Sequence, residues 1–79
     1  MHIKLRSGDC RTTKIDFINE NDQKCHGTIG VKGTDHRQYV YRLECLCCGF
    51  IYGANGSDIW ERLCPKCQDG KPSIAYWLS

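Results

Sequence analysis

The chain has 79 residues, with 11 Lys and Arg against 9 Asp and Glu and a formal net charge of +2. That length fits one domain, and a chain so short buries only roughly 60% of the surface its unfolded form exposes. The near-neutral charge is unlike the strongly basic footprint of a protein held mainly by phosphate contacts. Such a small core calls for a staple, and the 7 cysteines supply the means.

The staple is a metal or a set of disulfides, and the two imply different compartments. Met1 to Gly8 contains no apolar run of signal-peptide length and no small-residue cleavage site. No stretch approaches the length of a membrane span. An odd cysteine count leaves one thiol over from any full set of disulfides. These features predict a soluble, reduced, cytoplasmic protein without a membrane partner.

In chain order, His2-Ile3-Lys4-Leu5-Arg6 alternates polar and apolar, the pattern of a half-buried strand. Ser7-Gly8-Asp9 reads as a turn and Lys14–Ile18 as a second strand. Asn19–Lys24 is a polar loop, and Thr28–Val31 a short third strand. The clearest strand runs from Gln38 to Cys45, with Tyr39, Tyr41, Leu43 and Cys45 on one face and Arg42 and Glu44 on the other. Phe50-Ile51-Tyr52 pairs back on it as a hairpin, and Gly53–Gly56 breaks the strand.

A helix of about two turns follows. Ser57 or Asp58 is its N-cap, Asp58 and Glu61 have capping-box spacing, and Ile59, Trp60 and Leu63 share a face. The Cys64-Pro65 turn stops it. Ser73–Leu78 is the last strand candidate. Trp60 and Trp77 are expected in the core, because a small domain needs large buried rings. At least one of Tyr39 and Tyr41 is expected there too.

The decisive pattern is Cys45-Leu-Cys-Cys48 followed by Cys64-Pro-Lys-Cys67. Two Cys-x-x-Cys pairs at this separation predict one zinc ion. Zinc takes four thiolates tetrahedrally at about 2.3 Å, and two cysteines separated by two residues wrap one edge of that tetrahedron. Cys47 makes the register ambiguous. Gly49 favours Cys48, because the residue after such a turn often needs a positive φ, which leaves Cys47 a free or packed thiol. Four cysteine ligands close the coordination sphere, so the expected role is structural and not catalytic.

Residues Tyr41 to Lys71 resemble a zinc ribbon, a family with two zinc knuckles carried on β-hairpins. Cys45…Cys48-Gly49 and Cys64-Pro65-Lys66-Cys67 carry the likeness, whereas Gln68 stands where glycine is common. The resulting expectation is a small mostly-β domain, with a zinc-ribbon part at about 39–71, one short helix between the knuckles and a β-rich N-terminal part at about 1–38. The resemblance implies nucleic-acid machinery; the residues expected to bind are Lys32, His36, Arg37, Arg42 and Lys66, with Lys32, Arg37, Arg42 and Lys66 on phosphates. Cations interleaved with Tyr39 and Tyr41 fit that role chemically.

Near-neutral charge suits a protein partner or a homodimer instead, through exposed parts of Tyr39, Tyr52, Trp60, Tyr76 and Trp77. Asp35-His36 offers a base and its orienter, but no nucleophile accompanies it, so no enzyme is expected. Cys10, Cys25, His26 and His36 contain the atom types for a second metal at irregular spacing.

Overall fold

The computed structural model describes residues 5–30 and 39–74. It is mostly β, with three antiparallel strands in the order β1 (Gln23–Gly27), β2 (Val40–Cys45), β3 (Ile51–Asn55). Two short 3-10 helices, Arg11–Thr13 and Gly56–Glu61, complete the regular elements among the described residues. Among the described residues, no helix is long and apolar enough to cross a membrane.

The alternation in β2 sets the core. Tyr41, Leu43 and Cys45 are buried on one face, while Arg42 and Glu44 are half-buried on the other. Across the ladder, Tyr52 and Ala54 of β3 oppose Leu43 and Tyr41. On the other side, Gln23 and Cys25 of β1 oppose Cys45 and Leu43. Cys25, Tyr41, Leu43, Tyr52, Ala54 and Ile59 form the apolar cluster, with Phe17 and Phe50 packed against it. Burying side chains of this size contributes about 1.5–3 kcal/mol each for the larger ones.

β1 lies partly in the segment expected to be a polar loop. Its inward residues are Gln23 and Cys25, so it lacks the apolar alternation that marks a strand in sequence. Conversely, Lys14–Ile18 is no strand. Asp16 sits at φ +74, and only Ile18 forms a bridge, to Lys24. The segment still covers the edge of β1, through Asp16 N to Cys25 O at 2.8 Å and Cys25 N to Phe17 O at 2.7 Å. Of the first strand candidate only Leu5 and Arg6 are described, and Thr28–Gly30 of the third is no strand but an isolated bridge from Thr28 to Arg6.

β3 runs through Gly53 and Ala54, where the sequence suggested a break. Gly53 is required for close approach: an added Cβ would meet Val40 Cγ1 at 2.9 Å and strike the Ile74 carbonyl. The Ser73–Ile74 segment lines this edge, with Ile74 N donating to Gly53 O at 3.0 Å and Gly53 N to Ser73 Oγ at 3.0 Å. The rest of the expected Ser73–Leu78 strand lies outside the described residues, as does Trp77.

The expected helix is a 3-10 helix whose N-cap position is Asn55, not Ser57 or Asp58, and the Asn55 side chain makes no capping hydrogen bond. With three residues per turn, Ile59 and Trp60 point about 120° apart, and Leu63 lies beyond the end of the helix. Ile59 is fully buried, whereas Trp60 is 55% exposed and Leu63 41%. Trp60 is therefore not a core residue, nor is Tyr39; Tyr41 is.

The polar loop clamps the end of this helix. Asn19 is buried, and its Nδ2 donates to Ile59 O at 2.8 Å and Arg62 O at 3.0 Å. Its Oδ1 accepts from Asn21 N at 2.8 Å and Gln23 N at 3.0 Å. Truncation strands buried carbonyls and amides, so Asn19→Ala is expected to cost about 3 kcal/mol in urea unfolding. Trp60→Ala, at an exposed site, is expected to shift stability by under about 0.5 kcal/mol. A larger loss at Trp60 than at Asn19 would contradict this division of roles.

Candidate metal centre

Each Cys-x-x-Cys pair folds as a tight turn for local reasons. In the first, Gly49 N donates to Cys45 O at 2.8 Å, and Cys45 N donates to Phe50 O at 2.9 Å. Gly49 takes φ +79, and an added Cβ would meet nothing within 4 Å. Backbone conformation, not space, therefore selects glycine there. In the second turn, Gln68 N and Gly70 N both donate to Cys64 O, at 3.1 and 2.9 Å. The left-handed position falls on Asp69, at φ +56.

These turns bring Cys45, Cys48, Cys64 and Cys67 together, all four sulfurs lying within 4.8 Å of one another. Cys45 Sγ lies 3.6 Å from Cys67 Sγ, and Cys48 Sγ 3.7 Å from Cys64 Sγ. A tetrahedron of zinc–thiolate bonds of about 2.3 Å has edges of about 3.8 Å. A disulfide measures about 2.05 Å. The spacing thus fits a shared metal ion and not a pair of disulfides, and each short edge joins one knuckle to the other. Soft thiolate donors in this arrangement suit zinc. Cys47 is exposed and stands outside the set, 3.8 Å from Asp22 Oδ2.

The surrounding hydrogen bonds orient the sulfurs. Lys66 N and Cys67 N point at Cys64 Sγ, at 3.3 and 3.4 Å. Gln23, fully buried on β1, donates through Nε2 to Cys45 Sγ at 3.3 Å. Its Oε1 accepts from Tyr52 OH at 2.7 Å. Burial pushes the Tyr52 phenol up, which keeps it a neutral donor. Gln68 Oε1 accepts from Cys64 N at 2.8 Å and from Gln23 Nε2 at 3.2 Å. The departure from glycine at Gln68 thus provides a side chain that ties the second knuckle to Gln23 and Asn21.

Electrostatics separates the four thiols. Burial pushes Cys45 up, but hydrogen bonds from Gln23 and from the Cys48 and Cys47 amides outweigh it and bring it from 9.0 to about 6. Desolvation pushes Cys67 up, and so does the crowding of the Cys45, Cys48 and Cys64 sulfurs. Cys45 therefore gives up its proton more readily than Cys67. A divalent ion removes this mutual repulsion by replacing the protons.

The other expected site residues are more dispersed. Lys32, His36 and Arg37 lie outside the described residues. Arg42 is half-buried on the outer face of β2, and its Nε is buried with no hydrogen bond among the described residues. Lys66 is exposed on the second knuckle, its Nζ 5.8 Å from the centroid of the Phe50 ring. Cys25 belongs to the core, and His26 Nε2 pairs with Glu44 Oε1 at 2.8 Å. Among the described residues, neither joins a second ligand cluster, nor does Cys10. Tyr52, expected as part of an exposed aromatic patch, is fully buried.

Sequence reasoning missed Gln23 and Asn19, because a buried polar side chain leaves no periodic signal. Gln68 was visible only as a departure from glycine. Compared with known proteins, the chain matches no protein-family model, no curated protein and no solved structure.

Two outcomes test the centre. Cys47→Ser is expected to retain metal, and Cys48→Ser to lose it; the reverse would shift the register by one residue. A thiol lowered in the fold contributes stability that is present above its unfolded value and is lost as pH falls through its folded value. Zinc retention should therefore fall as pH drops, because protons compete with the ion for Cys45 and its partner thiolates. Gln23→Met should weaken zinc by about 10-fold and move acid release to higher pH, read with a zinc indicator. An unchanged release curve would remove Gln23 from the account.

Proposed function

We propose that this chain is a non-enzymatic binding module stapled by one structural zinc. The observation that carries this reading is the closed set of four sulfurs drawn from two turns. A closed thiolate shell leaves no position for a reacting water or substrate, so the ion would contribute folding energy and not chemistry. Apparent magnitudes for such ions are about 10–16 kcal/mol in small domains.

Nucleic acid is the ligand class favoured by the zinc-ribbon likeness. Lys66 on the exposed knuckle and Arg42 on β2 would supply phosphate contacts, joined by Lys32, His36 and Arg37. Only a modest, salt-sensitive affinity follows, since four thiolates with one zinc carry −2 between them. A protein partner is the second reading, favoured by exposed Trp60 and Leu63 beside the same metal-bearing segment.

Fluorescence anisotropy with single-stranded and duplex oligonucleotides across a salt series separates the two. Nucleic-acid binding predicts an affinity that falls with salt. Each phosphate contact removed from Arg42 or Lys66 by alanine should flatten the log–log slope by about 0.9 on duplex DNA. No detectable binding at low salt, with salt-insensitive copurification of a protein that Trp60→Ala abolishes, would replace the first reading with the second.

A further inference from the structure

The four ligating sulfurs are not equivalent. Cys45 and Cys64 are fully buried, and they accept the donors from Gln23, Lys66 and Cys67. Cys48 and Cys67 are exposed. Among the described residues, their sulfurs contact the partner thiols across the centre and accept no N–H donor. Hydrogen bonds to a thiolate draw off charge and lower its reactivity, and burial bars an attacking reagent. Both effects leave Cys48 and Cys67 as the open side of the centre. Their sulfurs belong to different knuckles, yet lie within 4.8 Å of each other.

We propose that Cys48 and Cys67 form an oxidation site for small hydroperoxides, closing to a disulfide that expels the metal. The proposal rests on the zinc reading above. One thiolate attacks the outer peroxide oxygen, the O–O bond breaks, and a sulfenic acid forms. The departing alkoxide or hydroxide takes a proton from solvent. The second thiolate then attacks the sulfenyl sulfur, the S–S bond forms, and the S–O bond breaks to release hydroxide, which is also protonated. The two thiolates together lose two electrons, and the peroxide gains them. The ion, left with two of its four ligands, dissociates.

The product keeps the two knuckles covalently joined where the metal had joined them. Cys45 and Cys64 remain reduced beneath, so a dithiol reductant followed by zinc restores the original centre. Cys47 is exposed nearby, with its sulfur 3.8 Å from the Asp22 carboxylate and beside Cys45, outside the set of four.

The test uses the full chain purified with reductant, with its zinc counted by native mass before any oxidant is added. Hydrogen peroxide is then titrated in, released zinc is followed with a chromogenic chelator, and disulfides are mapped by proteolysis and mass spectrometry. The expected result is one zinc released per disulfide, a Cys48–Cys67 cross-link, and the same outcome in Cys47→Ser. Zinc present at the start with a first disulfide through Cys47, or between Cys45 and Cys64, would overturn the oxidation site alone. So would zinc retained after oxidation of the exposed pair to a disulfide. No zinc before oxidant would overturn the metal reading, and the proposal with it.

Discussion

The rest of the fold depends on four sulfurs held within 4.8 Å of one another by two separate turns. Four thiolates this close repel strongly in a partly buried setting, where charge interactions exceed those in water. A divalent ion held there would turn that repulsion into attraction. It would tie the end of the β2–β3 hairpin to the segment that follows the second 3-10 helix. For a chain with so few large apolar side chains fully buried, this cross-link does what a larger core does elsewhere.

Around the cluster, polar side chains replace the apolar contacts that a small core lacks. Gln23 links Cys45, Tyr52 and Gln68, and so joins β1 to both knuckles. Asn19 and Asn21 hold the end of the second 3-10 helix. Leu46 N, within the first knuckle, donates to Asp22 O at 2.9 Å. The Asn19–Gln23 stretch is thus the seam between the N-terminal segment and the metal-bearing half. A buried hydrogen-bonded network of this kind contributes stability only while every member is satisfied. That condition makes single truncations in it costly.

The cluster of four cysteines was legible in sequence because metal-ligand chemistry fixes such spacing. Cys45 with Cys48 and Cys64 with Cys67 each span a turn, and Gly49 marked the register through its positive φ. β2 was legible because Tyr41, Leu43 and Cys45 alternate with Arg42 and Glu44. β1 was not, since its buried positions include Gln23, whose place depends on partners more than twenty residues away. Gly53 is ambiguous in sequence because close approach by Ile74 and turn formation both select glycine. Trp60 was misplaced because a 3-10 helix rotates side chains differently from an α-helix, and six residues carry too little pattern to tell them apart.

The most direct test of the metal's central role is the amide NMR spectrum of the full chain during removal of zinc by a strong chelator under reducing conditions. The account predicts that dispersed β2 and β3 resonances collapse together as metal leaves and return when zinc is added back. A spectrum that stays dispersed after all metal has gone would show that the core stands without the staple, and would contradict the account.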